Sequence, residues 1–234
     1  MSERFSGQTI LVAGGTGGLG RAVTLAFLEE DATVIVTYRK QEEFDALPKG
    51  PKLEGYPADV TDEGAVHALV EHILSRHGRL DALVNTVGGY SGGIKFWEME
   101  PKILDQMLAL NLRSGYTLCR AIVPAMLRQK HGSIVNIAAK AAFDHPAGAA
   151  AYGASKAAAV AMVDSLAADL KGTGVRANSV LPSIIDTEAN RKAMPKADFT
   201  RWPKPEQIAR LILFLCSADA KVIHGAAIPV YGES

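Results

Sequence analysis

A glycine-rich turn set directly after the first apolar strand is the feature that most narrows what this chain can become. Thr9–Val12 runs into Ala13-Gly14-Gly15-Thr16-Gly17-Gly18-Leu19-Gly20, and helical spacing starts at Arg21 and continues to Glu30. Glycine tolerates tight turns and lets backbone N–H groups come close to a ligand, and the start of a helix favours an anion. Alone, such a stretch also reads as a flexible turn. Its place between a strand and a helix is what points to a dinucleotide, with Gly14, Thr16, Gly18, Leu19 and Gly20 as its contacts.

The chain then keeps alternating. Strand signals fall at Thr33–Thr37, Lys52–Tyr56, Ala82–Val84, Ser133–Ile137, Val175–Val180 and Ala227–Val230. Helical signals fall at Glu63–Arg76, Pro101–Arg128, Ala151–Leu170 and Glu206–Leu215. Continuous apolar strands separated by helices imply a parallel sheet covered on both faces, with right-handed crossovers. The expected fold class is α/β: one doubly wound Rossmann domain over residues 1–234 with a seven-stranded parallel sheet. The irregular stretch Ile184–Pro205 is long for a connector, and it is expected to overhang the carboxyl end of the sheet as a substrate lid.

Lys plus Arg number 25 and Asp plus Glu number 25, so the formal net charge is zero. That balance gives no footprint for nucleic acid or an anionic membrane, and a small-molecule substrate is expected instead. The polar start MSERFSGQ does not read as a signal peptide. No apolar run approaches the roughly 18 residues of a membrane span. Two cysteines, Cys119 and Cys216, are too few for a metal site, and no disulfide is expected. A cytoplasmic protein follows as the default.

Two stretches carry chemistry. At the end of the second strand stand Tyr38-Arg39-Lys40. A carboxylate there would accept from a ribose 2′-OH and select NAD(H). The planar fork of Arg39 and the point charge of Lys40 suit a 2′-phosphate instead, so NADP(H) is favoured over NAD(H). Further on, Tyr152-Gly153-Ala154-Ser155-Lys156 puts Tyr152 and Lys156 on one face of a helix. An ammonium beside the phenol would lower its pKa and make Tyr152 a usable acid–base group.

These motifs together resemble the short-chain dehydrogenase/reductase family, along nearly the whole chain. The resemblance implies that Tyr152 exchanges a proton with substrate and that Lys156 binds the nicotinamide ribose. Asn111 would continue a proton relay; as plain structure it would bend its helix. Asp59 and Val60 would contact adenine, and Asn85-Thr86-Val87-Gly88 matches a second cofactor segment, giving Asn85 and Gly88 as contacts. Pro182 and Thr187, in the turn after the sixth strand, would touch the cofactor as well. The family carries a Ser 13 residues before the Tyr; here that position is Ala139. Ala139–Asp144, Gly88–Gly93 and Asp186–Trp202 resemble the dihydropteridine-reductase branch of the family, which also lacks the Ser. That branch implies a planar conjugated substrate contacted by Tyr90, Ala139, Phe199 and Trp202. An ordinary carbonyl or 3-oxoacyl reductase and a weakly catalytic NADP-binding sensor are the competing readings. The helix Ala151–Leu170 carries Ala157, Ala158, Ala159, Ala161, Ala167 and Ala168. The family uses this helix in an interface, so a homodimer or homotetramer is expected; packing on the chain's own sheet is the alternative.

Overall fold

A computed structural model describes residues 3–233. Among them, seven strands form one parallel sheet: β1 (Thr9–Ala13), β2 (Thr33–Tyr38), β3 (Leu53–Pro57), β4 (Ala82–Asn85), β5 (Gly132–Ile137), β6 (Val175–Pro182) and β7 (Ala227–Val230). The order across the sheet is β3-β2-β1-β4-β5-β6-β7, all pairs parallel. The chain reverses its direction of travel between β1 and β4. In doubly wound sheets such a switch point, at the carboxyl ends of the strands, is where ligands bind.

Alternate residues of each strand build the two cores. Ile10, Val12, Val34, Val36 and Val84 face α1 (Gly18–Glu29) and α9 (Pro205–Cys216), against Val23, Phe27, Ile208 and Ile212. Leu11, Ile35, Leu83 and Ile134 face α3 (Glu63–His77), α5 (Ser114–Gln129) and α7 (Ala150–Asp169), against Leu69, Ile73, Leu118, Ile122 and Val163. Each such side chain, fully buried, contributes about 1.5–3 kcal/mol, and the period of two is what lets both faces be apolar.

Local signals set the helix ends. Asp62 accepts from the Ala65 N–H at the start of α3, and Gly78, at φ 71°, closes it. The long helical pattern expected over Pro101–Arg128 is not one regular helix. It comprises α4 (Pro101–Leu108), a π turn over Ala109–Arg113, and α5. The expected irregular stretch after β6 contains ordered structure: α8 (Glu188–Ala193) and a single tight turn at Phe199–Arg201. Two short helices, α2 (Gln41–Asp45) and α6 (Ala141–Asp144), follow β2 and β5. Among the described residues no helix is long and apolar enough to cross a membrane.

Candidate active site

The glycine turn is shaped around backbone. Gly14 has φ +73°, and a Cβ at Gly20 would lie 2.0 Å from the Gly14 carbonyl oxygen. A Cβ at Gly18 would come within 2.8 Å of the Thr187 methyl, so the turn and the segment after β6 close on one another. Gly14 N donates to Thr37 Oγ1 (2.9 Å), and the Thr86 hydroxyl lies 2.7 Å from the Ala13 carbonyl oxygen. α1 begins with Gly17 as its cap, with no capping side chain and no acid in its first turn. No carboxylate of that turn competes for the helix N-terminus, which suits a pyrophosphate. Leu19 is buried in the core below and holds the turn down.

At the end of β2, Tyr38 stacks on Phe44 with ring centroids 4.9 Å apart and donates to Gln41 Oε1 (2.8 Å). Arg39 and Lys40 are exposed. Glu43, which the sequence reading passed over, lies between Lys40 (3.6 Å) and Thr16, whose hydroxyl donates to it (3.2 Å). Asp59 accepts from the Thr61 N–H and hydroxyl, and these bonds hold its carboxyl below the ordinary range. Asp59, Thr61, Gln106, Ala109 and Leu110 line a cavity of about 420 Å³. Val60 is buried beside it.

Tyr152 and Lys156 lie in the first turns of α7. Lys156 is 5% exposed, and its Nζ donates to the Ile137 carbonyl oxygen (2.8 Å). Burial lowers its pKa to about 8. Tyr152 is pushed up to about 12, by burial first and by the neighbouring Tyr90 second. This corrects the expectation that the ammonium lowers the phenol: Lys156 is engaged with β5, and loss of water dominates both groups. Gly88 completes the corner, since a Cβ there would lie 2.9 Å from Asn111 Oδ1 and 3.1 Å from Lys156 Nζ. Asn111 sits in the π turn. Its Oδ1 accepts from Gly89 N (2.9 Å), and its Nδ2 donates to the Gly89 carbonyl (3.0 Å) and to Ser155 Oγ (2.9 Å). Asn111 thus lies in the irregular part of the helix and ties it to Gly89 and Ser155. Asn85 Nδ2 donates to Asn136 Oδ1 (2.9 Å), and Asn85 Oδ1 accepts from Val87 N (3.2 Å), fixing the turn into Gly88.

Around this corner, Ala139 is buried at 6% exposure. Tyr90 stands edge-on to Tyr152, with ring centroids 5.0 Å apart and planes at 76°. Pro182 accepts from Lys140 N (2.8 Å), and Thr187 Oγ1 caps α8 at Asn190 N (3.2 Å). Arg191 forms a two-bond pair with Asp186 (2.5 and 2.8 Å) and lies over the Phe199 ring. Phe199 in turn packs on Trp202, with centroids 5.0 Å apart. Trp202 is 6% exposed, so it packs this segment together and is not an open contact surface as expected.

The family pattern described as short chain dehydrogenase matches residues 8–198. The chain belongs to the short-chain dehydrogenase family. It is 33% identical, over 98% of both chains, to the 3-oxoacyl-(acyl-carrier-protein) reductase of Thermotoga maritima. It is 32% identical to the D-threitol dehydrogenase of Mycolicibacterium smegmatis, covering 98% of this chain and 93% of that one. Among solved structures, ElxO with NADP bound superposes with a TM-score of 0.89 at 26% identity, over 96% of this chain and 97% of that one. The ligand-free aldohexose dehydrogenase of Thermoplasma acidophilum superposes with a TM-score of 0.88 at 28% identity, over 99% and 95%.

This short-chain dehydrogenase is an oxidoreductase. Thr37 and Thr86 hold the glycine turn from the neighbouring strands. Ala139 replaces the Ser, and no neighbouring residue of that turn restores a hydroxyl in Ala138-Ala139-Lys140-Ala141. Ser155 also escaped the sequence reading. It lies three residues past Tyr152, and its hydroxyl donates to the Tyr152 carbonyl oxygen (2.8 Å) while accepting from Asn111. Its spacing within Tyr-x-x-Ser-Lys was the available signal. Among the described residues no group of His, Cys, Asp and Glu could hold a metal ion.

Proposed function

We propose that this oxidoreductase uses NADP(H) to reduce a planar conjugated acceptor such as a quinonoid dihydropterin. The observation that supports the reading is the turn after β5, where the buried Ala139 and its neighbours offer no hydroxyl to an alkoxide oxygen, while Tyr90 presents an exposed aromatic ring edge-on to Tyr152. When hydride reaches a simple ketone, charge gathers on one oxygen, and losing one donor there costs about 2.7–4 kcal/mol. In a conjugated acceptor the charge spreads over the ring system, and one donor matters less.

The residues present fit a nicotinamide dinucleotide. Gly14, Gly18 and Gly20 form a cradle that Cβ atoms would fill, in front of a helix N-terminus free of acids. Arg39 and Lys40 would hold a 2′-phosphate; Asp59 and Val60 would meet the adenine; Asn85, Gly88, Lys156, Pro182 and Thr187 would border the nicotinamide half. A bound reduced nicotinamide supplies the hydride. Tyr152, a phenol that is protonated at neutral pH and that burial holds further so, gives the proton. Lys156, its Nζ fixed on the Ile137 carbonyl, orients the nicotinamide half beside Tyr152, and Asn111 holds the Gly88–Gly89 backbone in place. Ile184–Pro205, braced by Asp186 and Arg191, acts as the lid, with Phe199 turned to the acceptor. ElxO, solved with NADP bound, supports the choice of cofactor. The protein works in the cytoplasm as a homodimer or homotetramer joined through the outer face of α7, where Ala154 and Ala161 are exposed.

A second reading, reduction of ketones or 3-oxoacyl thioesters, is favoured by the 3-oxoacyl reductase at 33% identity. Turnover of NADPH with a quinonoid dihydropterin, a quinone, a simple ketone and a 3-oxoacyl thioester separates the two. Faster reduction of the conjugated acceptors supports the first reading, and far faster reduction of the thioester or ketone replaces it with the second.

A further inference from the structure

We propose that Tyr90 supplies the second hydrogen-bond donor of the site, its hydroxyl serving the acceptor's heteroatom where the Ala139 methyl cannot. The inference rests on the reading of Tyr152 as the proton donor to a reducible acceptor, and it adds a second phenol to that site.

Three observations support it. The Tyr90 ring sits edge-on to Tyr152 at 5.0 Å, so the two phenols border the same space. The loop Gly88–Gly93 is cut to fit this side chain: a Cβ at Gly92 would lie 2.1 Å from the Tyr90 hydroxyl oxygen and 2.6 Å from Cζ. Any residue but glycine at 92 would evict the phenol, and Gly93, at φ +81°, continues the same bend. Tyr90 is 70% exposed as a residue, so a ligand can reach this side chain. The charge of an ionised Tyr90 would oppose ionisation of Tyr152, which places the two within electrostatic reach.

The proton balance is simple. Hydride adds to the electrophilic atom of the acceptor, and the Tyr152 O–H bond breaks to protonate the heteroatom. The Tyr90 O–H bond stays intact and donates a hydrogen bond to that heteroatom as its charge grows. The Tyr90 ring alone would give only a platform, and the hydroxyl is what distinguishes the two roles.

The test compares Tyr90→Phe, Tyr90→Ala, Ala139→Ser, the Tyr90→Phe/Ala139→Ser pair and Tyr152→Phe, in the full chain with NADPH and a quinone. Tyr90→Phe should lower kcat by about 10-fold with little change in KM, less than the usual loss of a fixed donor because this one is exposed and a quinone spreads the developing charge. Adding Ala139→Ser should restore most of that loss. Binding of 4-nitrophenolate, a stable anionic oxygen, should weaken in Tyr90→Phe when titrated by calorimetry. An unchanged kcat and an unchanged phenolate affinity in Tyr90→Phe, with losses only in Tyr90→Ala, would overturn the proposal in favour of a platform. A Tyr152→Phe variant as active as the natural protein would instead overturn the reading of the site itself. If no acceptor turns over, phenolate binding alone decides: equal affinity in the natural protein and Tyr90→Phe refutes the donor.

Discussion

Replacing Lys156 by Met should stabilise the resting protein while abolishing its turnover. Lys156 is 5% exposed, and its Nζ has one described hydrogen bond, to the Ile137 carbonyl oxygen. Burial moves its pKa from 10.5 to about 8. That displacement amounts to about 3 kcal/mol against the charged form in the folded state. Met is of similar length and needs no solvation, but the change forfeits one hydrogen bond worth about 1 kcal/mol and leaves a carbonyl less satisfied. The net gain at neutral pH should be about 1–2 kcal/mol, or a Tm higher by about 2–8 °C for a chain of this size. The pH dependence follows from the sign of the shift. Below about pH 8 both folded and unfolded chains carry the ammonium, and the full penalty applies. Between there and the ordinary Lys value the unfolded chain binds more protons than the folded one, so the natural protein gains stability as pH rises. Above the ordinary value both states are neutral and the penalty is gone. Urea unfolding of both proteins without cofactor, at neutral pH and near pH ~10, should therefore show an advantage for Lys156→Met that shrinks with pH. A variant that is less stable at neutral pH, or an advantage independent of pH, would refute the reasoning.

Three further outcomes are expected. Arg39→Asp should shift preference from NADPH toward NADH, and Glu43→Gln should tighten NADPH more than NADH, because Glu43 pairs with Lys40, which a 2′-phosphate would need, and puts a negative charge beside it; fluorescence titration with both cofactors reads this. Tyr152→Phe should cut kcat by about 10²–10⁴-fold while leaving the dissociation constant for NADPH nearly unchanged, since it removes a proton and little volume. Ala161→Glu, on the outer face of α7, should yield monomers in light scattering without altering the thermal transition of the isolated chain; a monomeric natural protein at micromolar concentration would contradict the expected assembly.

Much of this architecture is legible in the sequence because strands such as Val34–Val36 and Ile134–Val135 are apolar on both faces, a pattern that few arrangements besides a covered parallel sheet can bury. The glycine turn and Tyr152–Lys156 are legible for the same kind of reason: their spacing within one element fixes their relation in space. What the sequence hid depends on contacts between distant elements. That Lys156 reaches back to Ile137, and so does not lower the Tyr152 pKa, follows from how deeply α7 seats on β5. The embrace of Glu43 with Thr16 joins residues 27 positions apart, and nothing in either neighbourhood announces it. Trp202 looked like a contact because aromatic residues in long connectors often are, yet Phe199 and the chain around it enclose the ring. The resemblance to the dihydropteridine-reductase branch comes from a few segments, whereas relatives at 31–33% identity over nearly the whole chain include a 3-oxoacyl reductase, a D-threitol dehydrogenase and a meso-2,3-butanediol dehydrogenase.

The π turn at Ala109–Arg113 has a consequence for anyone redesigning this protein. Such a turn holds one residue more than a regular helix of the same rise, and helices that carry one usually do so at functional positions. Deleting a single residue within it would let Pro101–Gln129 become a continuous α-helix, locally more regular. The same deletion would absorb the bulge, leaving the flanking helices near their present register but changing the path of the backbone that carries Asn111. Asn111 would leave Gly89 and Ser155, and the corner around Lys156 would lose its frame. A sequence optimised for helical regularity would therefore arrive at a sturdier scaffold that has forgotten its chemistry.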